Sequence, residues 1–206
     1  MDSKYPIHVE VSSPLRFERI QILLRIVLAI MLGWVGITAG WLVTVLYGLL
    51  PVIAAIAVSS LGGEGYATTV GRKLWRILSW LLQFAAYMAL LTDRFPTSDD
   101  DPVRIEIQFT GKPTIGSSLV RLITSIPSGF VLMLLWCVSS VLWIIAAVIV
   151  LFGSPMPDAI LAFQRGVLRW QARLVAYHAS LVEEYPPFSF DTGDGHDVTP
   201  AASGVR

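Results

Sequence analysis

The amino-acid sequence predicts an all-α integral membrane protein made of a duplicated unit: a short β-strand, an interfacial helix, a long transmembrane helix, and a second membrane or interfacial helix. Three observations lead there. The 206 residues are 54% apolar and only 15% charged, with a mean hydropathy of +0.66, against about 25% charged in an ordinary soluble chain. No charged residue occurs between Arg25 and Glu64 or between Arg121 and Asp158, and each stretch exceeds the roughly 20 residues that one membrane span requires. Polar and aromatic landmarks of the first half also return in the second in the same order.

The repeat follows from two alignments. Residues 5–30 match 101–126 at an offset of 96, pairing Pro6 with Pro102, Glu10 with Glu106 and Arg25 with Arg121. Residues 61–96 match 151–186 at an offset of 90, pairing Trp80 with Trp170, Tyr87 with Tyr177 and Pro96 with Pro186. Apolar coincidences are common in membrane sequences, whereas Arg, Trp, Tyr, Pro and Glu recurring at fixed spacing indicate duplication. The expected organisation is a first repeat over 1–100, a second over 101–188, and a disordered polar tail over 189–206, rich in Gly, Asp, Ser and Thr.

Each element has its own signal. Ile7, Val9 and Val11 alternate with His8 and Glu10, and Val103, Ile105, Ile107 and Phe109 with Arg104, Glu106 and Gln108, which is the period of a strand. Strands emerging on one side of the membrane can pair, leaning on the interfacial helices or another subunit. Pro127 is placed to end a short interfacial helix and start a span over 128–152. In the first half Pro51 suggests a kink or break, and Gly36 with Gly40 forms a small-xxx-small pair suited to close helix approach in lipid. Residues 65–73 contain two glycines but lack the spacing and the Lys-Ser/Thr of a phosphate loop, and read as a turn opening a helix.

The second helices differ. Residues 77–92 carry no charge, whereas Arg165, Arg169 and Arg173 stand four residues apart with Tyr177 continuing the row, so three guanidiniums share one helical face. Their counterparts are Trp75, Ser79 and Gln83. One helix is then expected to be buried while its twin shows a basic stripe to lipid headgroups or an acidic partner, at about 1 kcal/mol per charge near an anionic leaflet, or snorkels and pairs locally with Glu183 or Glu184. Arg25 and Arg121 read as a symmetric pair at the bilayer entrance, binding lipid phosphate, locking the repeat interface, or anchoring at the interface.

The run from Arg165 through Trp170 and Arg173 to Tyr177, followed by Glu184-Tyr185-Pro186-Pro187-Phe188, resembles the bacterial membrane-protein family catalogued as domain of unknown function 4389. The resemblance covers most of the chain as two tandem copies, the second closer to the family pattern and the first ending in Arg94-Phe95-Pro96. Where family members often show Ile-Pro-His, this chain has Ile126-Pro127-Ser128. The resemblance implies a fold, and no activity, catalytic residue or cofactor.

Other chemistry has little support in the residues. The formal charge of zero argues against nucleic acid as a partner. Cys137, the single cysteine, reads as a small buried apolar side chain. His8, His178 and His196 share no metal-ligand spacing, and residues 191–197 have acidic spacing like a calcium loop without its twelfth-position Glu. No G-x-S-x-G, H-E-x-x-H or C-x-x-C is present. No catalytic residue, metal or cofactor is therefore assigned. The residues expected to carry function are Arg165, Arg169, Arg173, Arg25 and Arg121, with membrane lipids, other membrane proteins or a second copy as partners. The expected role is a scaffold or accessory subunit of a bacterial envelope complex in the inner membrane, or a lipid-binding or transport component using the repeat interface. The expected course is multi-pass, with nine Lys or Arg on the face holding the termini against six opposite favouring cytoplasmic termini.

Overall fold

The structure is a computed structural model and describes residues 5–34, 39–97 and 102–187. Gly36 of the Gly36–Gly40 pair, His196, residues 191–197 and the tail over 189–206 lie outside the described residues. Seven elements follow in order: β1 (Ile7–Val11), α1 (Arg19–Trp34), α2 (Ala39–Gly65), α3 (Arg72–Met88), β2 (Val103–Ile107), α4 (Ile115–Leu151) and α5 (Asp158–His178), with a π-helical turn over Tyr66–Gly71 between α2 and α3. Two stretches, Leu46–Met88 and Ile115–Leu151, are long and apolar enough to cross a membrane.

The strands pair antiparallel as the alternation predicts, with Ile7, Val9 and Val103 turned inward and Glu10, Arg104 and Glu106 outward. Val9 faces Ile105 at the centre of the ladder, and these two are equivalent under the offset of 96. The flanking bonds obey the same rule: Ser12 N–H donates to Pro102 O at 2.9 Å and Gln108 N–H to Pro6 O at 2.8 Å. The opposite charges of Glu10 and Arg104 face each other across the strands, a favourable pairing.

Three expectations about helix breaks are corrected. Pro127 lies inside a continuous α4 rather than between an interfacial helix and a span. A proline removes one N–H while its fixed φ remains helical, and hydroxyls around it bond back to the ladder: Thr124 to Arg121 O, Ser125 to Leu122 O and Ser128 to Thr124 O. Pro51 likewise sits within α2, and the break falls at Gly62, with φ 71° and ψ 169°, a conformation open to a residue without Cβ. Residues 66–71 form the π turn instead of an open turn. The extra residue of such a turn redirects side chains; here Tyr66 donates its hydroxyl hydrogen bond to Ala179 O across the molecule.

The packing is a set of antiparallel layers. Gly63 lies against Pro113, just before α4, and Gly153, just after α4, lies against the Arg19 side chain at the start of α1. The α1–α2 course and α4 therefore run side by side in opposite directions. The α3 and α5 helices fold back on them, fixed by Trp143 Nε1 donating to Met88 O at 2.7 Å and by Ser139 with Gln164. The sheet rests on the outer side of α3 and α5, where Gln83 Nε2 donates to Val103 O and Arg169 Nε to Val9 O.

A Cβ on Gly63 would stand 2.7 Å from Pro113 O, and one on Gly111 2.7 Å from Ser180 O, whereas one on Gly116 meets nothing within 4 Å. Gly63→Ala and Gly111→Ala are each expected to lose about 1–3 kcal/mol by overpacking. Gly116→Ala is expected to be neutral or to gain up to about 1 kcal/mol of helix propensity. Thermal melts in one detergent check the contrast.

Candidate functional site

The most organised chemistry is a pair of buried guanidinium clamps. Helix α3 ends on Leu90 and α5 on Ser180, non-glycine residues in the left-handed region at φ 59° and 57°. Each end closes in the same way: Leu90 N–H donates to Tyr87 O and Leu91 N–H to Ala86 O, while Ser180 N–H donates to Tyr177 O and Leu181 N–H to Ala176 O. This is a Schellman ending, usually built on glycine, and holding another residue there costs about 1 kcal/mol or more.

An arginine from the first helix of the same half completes each ending. Arg25 donates from Nε to Tyr87 O at 2.7 Å and from Nη2 to Thr92 O at 2.5 Å, with its guanidinium 4.3 Å from the Tyr87 ring centroid. Arg121 donates to Tyr177 O and, at 2.8 Å, to Val182 O, with its guanidinium also 4.3 Å from the Tyr177 ring centroid. Every partner is the counterpart of the other under the offsets of 96 and 90. The cation sits at the negative end of the helix macrodipole, worth about 0.3–2 kcal/mol, and over an aromatic face, worth about 0.5–2 kcal/mol. Edge-on rings back each tyrosine: Phe95 against Tyr87 at 5.4 Å and Tyr185 against Tyr177 at 5.3 Å. The remaining landmark Trp80 donates to Pro96 O at 3.0 Å, and Trp170 and Pro186 are buried in the second half.

The clamps differ in one anion. Arg25 also reaches Asp93 at 3.1 Å, and the other oxygen of that carboxylate accepts Glu18 N–H at 2.8 Å, just before α1. Its counterpart Glu183 instead accepts Lys112 N–H at 3.0 Å, and the hydrogen bonds of the Arg121 guanidinium given above all go to backbone carbonyls. Above the Arg25 clamp opens a polar cleft of about 930 Å³ lined in part by Ser13, Arg16, Glu18, Asp93 and Arg94.

The structure places the expected site residues differently from the sequence reading. Arg25, Arg121 and Arg173 are 0%, 4% and 6% exposed, so the first two lock helices and do not stand at an open bilayer entrance. The exposed basic stripe on α5 is also corrected, because β1 lies along it. Arg173 stacks over Tyr5 at 5.4 Å, Tyr5 donates to Glu184 O at 3.0 Å, Arg169 holds Val9 O, and Arg165 is half-buried. The expected contrast is reversed, with α5 the buried twin and α3 the more exposed one, since the strand covers the aliphatic stems of the arginines. Cys137 is exposed, not buried; it falls on the outer apolar stripe of α4. The roles of Asp93 and Tyr66 were missed, although the recurrence of an acid at 93 and 183 was a usable signal for the first.

Among the described histidines, His178 is fully buried, with Nδ1 2.7 Å from Leu174 O and its ring edge-on to Tyr47 and Tyr177. Burial pushes it down to about 4, opposed by the Leu174 carbonyl. No group of three metal-ligating side chains occurs among the described residues.

The class these features define is a mostly helical chain with a small sheet, two helices long and apolar enough to cross a membrane, and arginine-capped helix ends. Residues 116–189 match the family described as Domain of unknown function (DUF4389). That match takes in α4 nearly whole, α5 and the Arg121 clamp. No curated protein and no solved structure matches the chain.

Removing the Arg121 side chain orphans two buried carbonyls at about 1–3 kcal/mol each, so Arg121→Met is expected to cost about 2–4 kcal/mol. Arg121→Lys, which keeps the charge but loses the planar fork, is expected to recover less than half of that; denaturation in detergent reads both. His178 has a folded pKa below its unfolded value near 6.5. Its contribution is thus complete above pH 6.5 and lost as pH falls toward 4, a decline of up to about 3 kcal/mol. Melts across that range are expected to show this slope, flattened in His178→Gln.

Proposed function

We propose that the chain is a non-enzymatic membrane protein of the bacterial inner membrane, a duplicated scaffold or accessory subunit of an envelope complex. The observation that carries the reading is the disposition of its polar chemistry. The buried guanidiniums of Arg25 and Arg121 are engaged with helix ends and the shared geometry of the two clamps supports duplication, while long apolar faces on α1 and α4 remain uncovered by the described residues. Ile20, Val27 and Met31 on α1, and Ile123, Phe130 and Ile144 on α4, are exposed. A chain that uses its charges as struts and presents apolar helix faces is suited to holding a membrane and neighbouring proteins together. On a course with an even number of crossings, the balance of Lys and Arg favours cytoplasmic termini.

A second reading, a lipid-binding or transport component, is favoured by an apolar groove of about 780 Å³ lined from both halves, with Tyr47, Trp80 and Phe84 on one side and Trp136, Trp143 and Gln164 on the other. The two readings separate in one experiment. After an alkaline carbonate wash the protein is expected to stay with the membrane, and after in-cell crosslinking and mild-detergent purification it is expected to carry a stoichiometric protein partner. Recovery without any protein partner but with tightly retained lipid sinks the scaffold reading in favour of the second.

A further inference from the structure

Resting on the membrane reading just given, we infer that the protein lies along one leaflet as an amphipathic wedge, its apolar floor formed by α1 and α4 and its partner an anionic lipid surface, in place of a multi-pass course. The two clamps mark the ends of the long axis. Helix α4 runs from Arg121, beside the end of α5, to the residues before Gly153, beside the start of α1. Its 37 residues extend about 55 Å at a 1.5 Å rise, against a hydrocarbon core of about 30 Å.

The sheet lies midway along that axis. Around its central pair, Val9 and Ile105, Val9 O accepts from Arg169 in the middle of α5 and Val103 O from Gln83 in α3. A bilayer crossing the axis at its centre immerses the exposed Glu10, Arg104 and Glu106 together with the two open strand edges, which hydrocarbon does not tolerate. Moving the bilayer toward either end immerses exposed cations instead: Arg19 and Arg94 at the Arg25 end, or Arg72 and Lys73 at the other, where the π turn meets the end of α5. No placement across the axis keeps charge out of the core.

Laid flat, the described residues meet no such conflict. The buried side of α4 carries Ser118, Arg121, Ser128 and Ser139, all bonded to α5 or the turn after it. The opposite side exposes an uncharged stripe from Leu119 through Ile126, Met133 and Val141 to Val148. The matching stripe on α1 carries Leu23, Val27 and Ile30. Such a floor settles about 5–10 Å into the boundary between headgroups and acyl chains. The uncharged stripe, with exposed cations at both ends (Arg16, Arg19 and Arg94 at one, Arg72, Lys73 and Arg76 at the other, beside the acids Glu18 and Glu64), points to an anionic leaflet as the occupant.

Cys137 falls midway along the floor and is exposed, so the unsubstituted protein carries its own depth reporter. A fluorophore on Cys137 in vesicles containing phosphatidylglycerol is expected to be quenched by labels near the headgroups more than by labels at the acyl-chain ends. In a Cys137→Ala background, Ser60→Cys and Ser154→Cys, which lie near opposite ends of the long axis, are expected to react with an impermeant maleimide from the same side of the membrane. Deeper quenching of Cys137, or labelling of Ser60→Cys and Ser154→Cys from opposite sides in a carbonate-resistant protein, overturns the in-plane inference alone. Release of the chain by carbonate overturns the membrane reading and this inference with it.

Discussion

Everything else in the fold depends on the arginine that closes each half. A helix that ends inside a protein leaves its last carbonyls without partners, and the endings at Leu90 and Ser180 satisfy only some of them internally. The carbonyls of Tyr87 and Thr92, and of Tyr177 and Val182, converge on a point that water does not reach, and a planar cation with several divergent donors fits that point. The tyrosine ring stacked on each guanidinium fills the rest of the space and compensates for lost hydration. A lysine offers the charge without the fork. Because the arginine comes from the first helix and the carbonyls from the last, each clamp fixes the register of everything between them.

The sheet joins the two clamped halves. Its register places equivalent residues opposite each other at Val9 and Ile105, and the bonds beyond the ladder, Ser12 to Pro102 and Gln108 to Pro6, exchange under the same offset. Two strands alone are marginal in water. Here they gain stability from α5, through Tyr5 over Arg173 and Arg169 on Val9, and from α3 through Gln83. Arg169 and Arg173 on α5 are therefore the strand's bed, which explains why two of the three arginines of the row stand on a helix that turns out to be buried.

Much of this was legible in the residues. The strands followed from alternation, and the recurrence of Arg25 with Arg121 and Tyr87 with Tyr177 marked the right side chains, because residues that repeat at fixed spacing answer to a shared geometry. What they touch was not legible: a guanidinium near an apolar run reads equally as an interfacial anchor and as a helix cap, since the difference lies in carbonyls some sixty residues away. The breaks were misplaced for a related reason. Proline announces a lost N–H, but a helix absorbs one loss when serine and threonine hydroxyls bond back around it, as near Pro127, whereas Gly62 carries the sharp dihedral change that no apolar pattern marks.

Hydropathy along one helix speaks for that helix alone. An average along one helix asks whether that helix tolerates lipid, and α4 passes on composition. It does not ask what stands beside the helix at the same height. The antiparallel packing brings α3, α5 and the sheet alongside the middle of α4, so any lipid that surrounds α4 on all sides surrounds Glu10 and Arg104 as well. The apolar stripe of α4 avoids that conflict because it faces away from those elements along its full length. A stripe and a charged roof on opposite sides, each spanning the long axis, are the layout of an interfacial helix enlarged to a domain. The same arginine caps that hold each half together thus keep the roof from tilting into the floor.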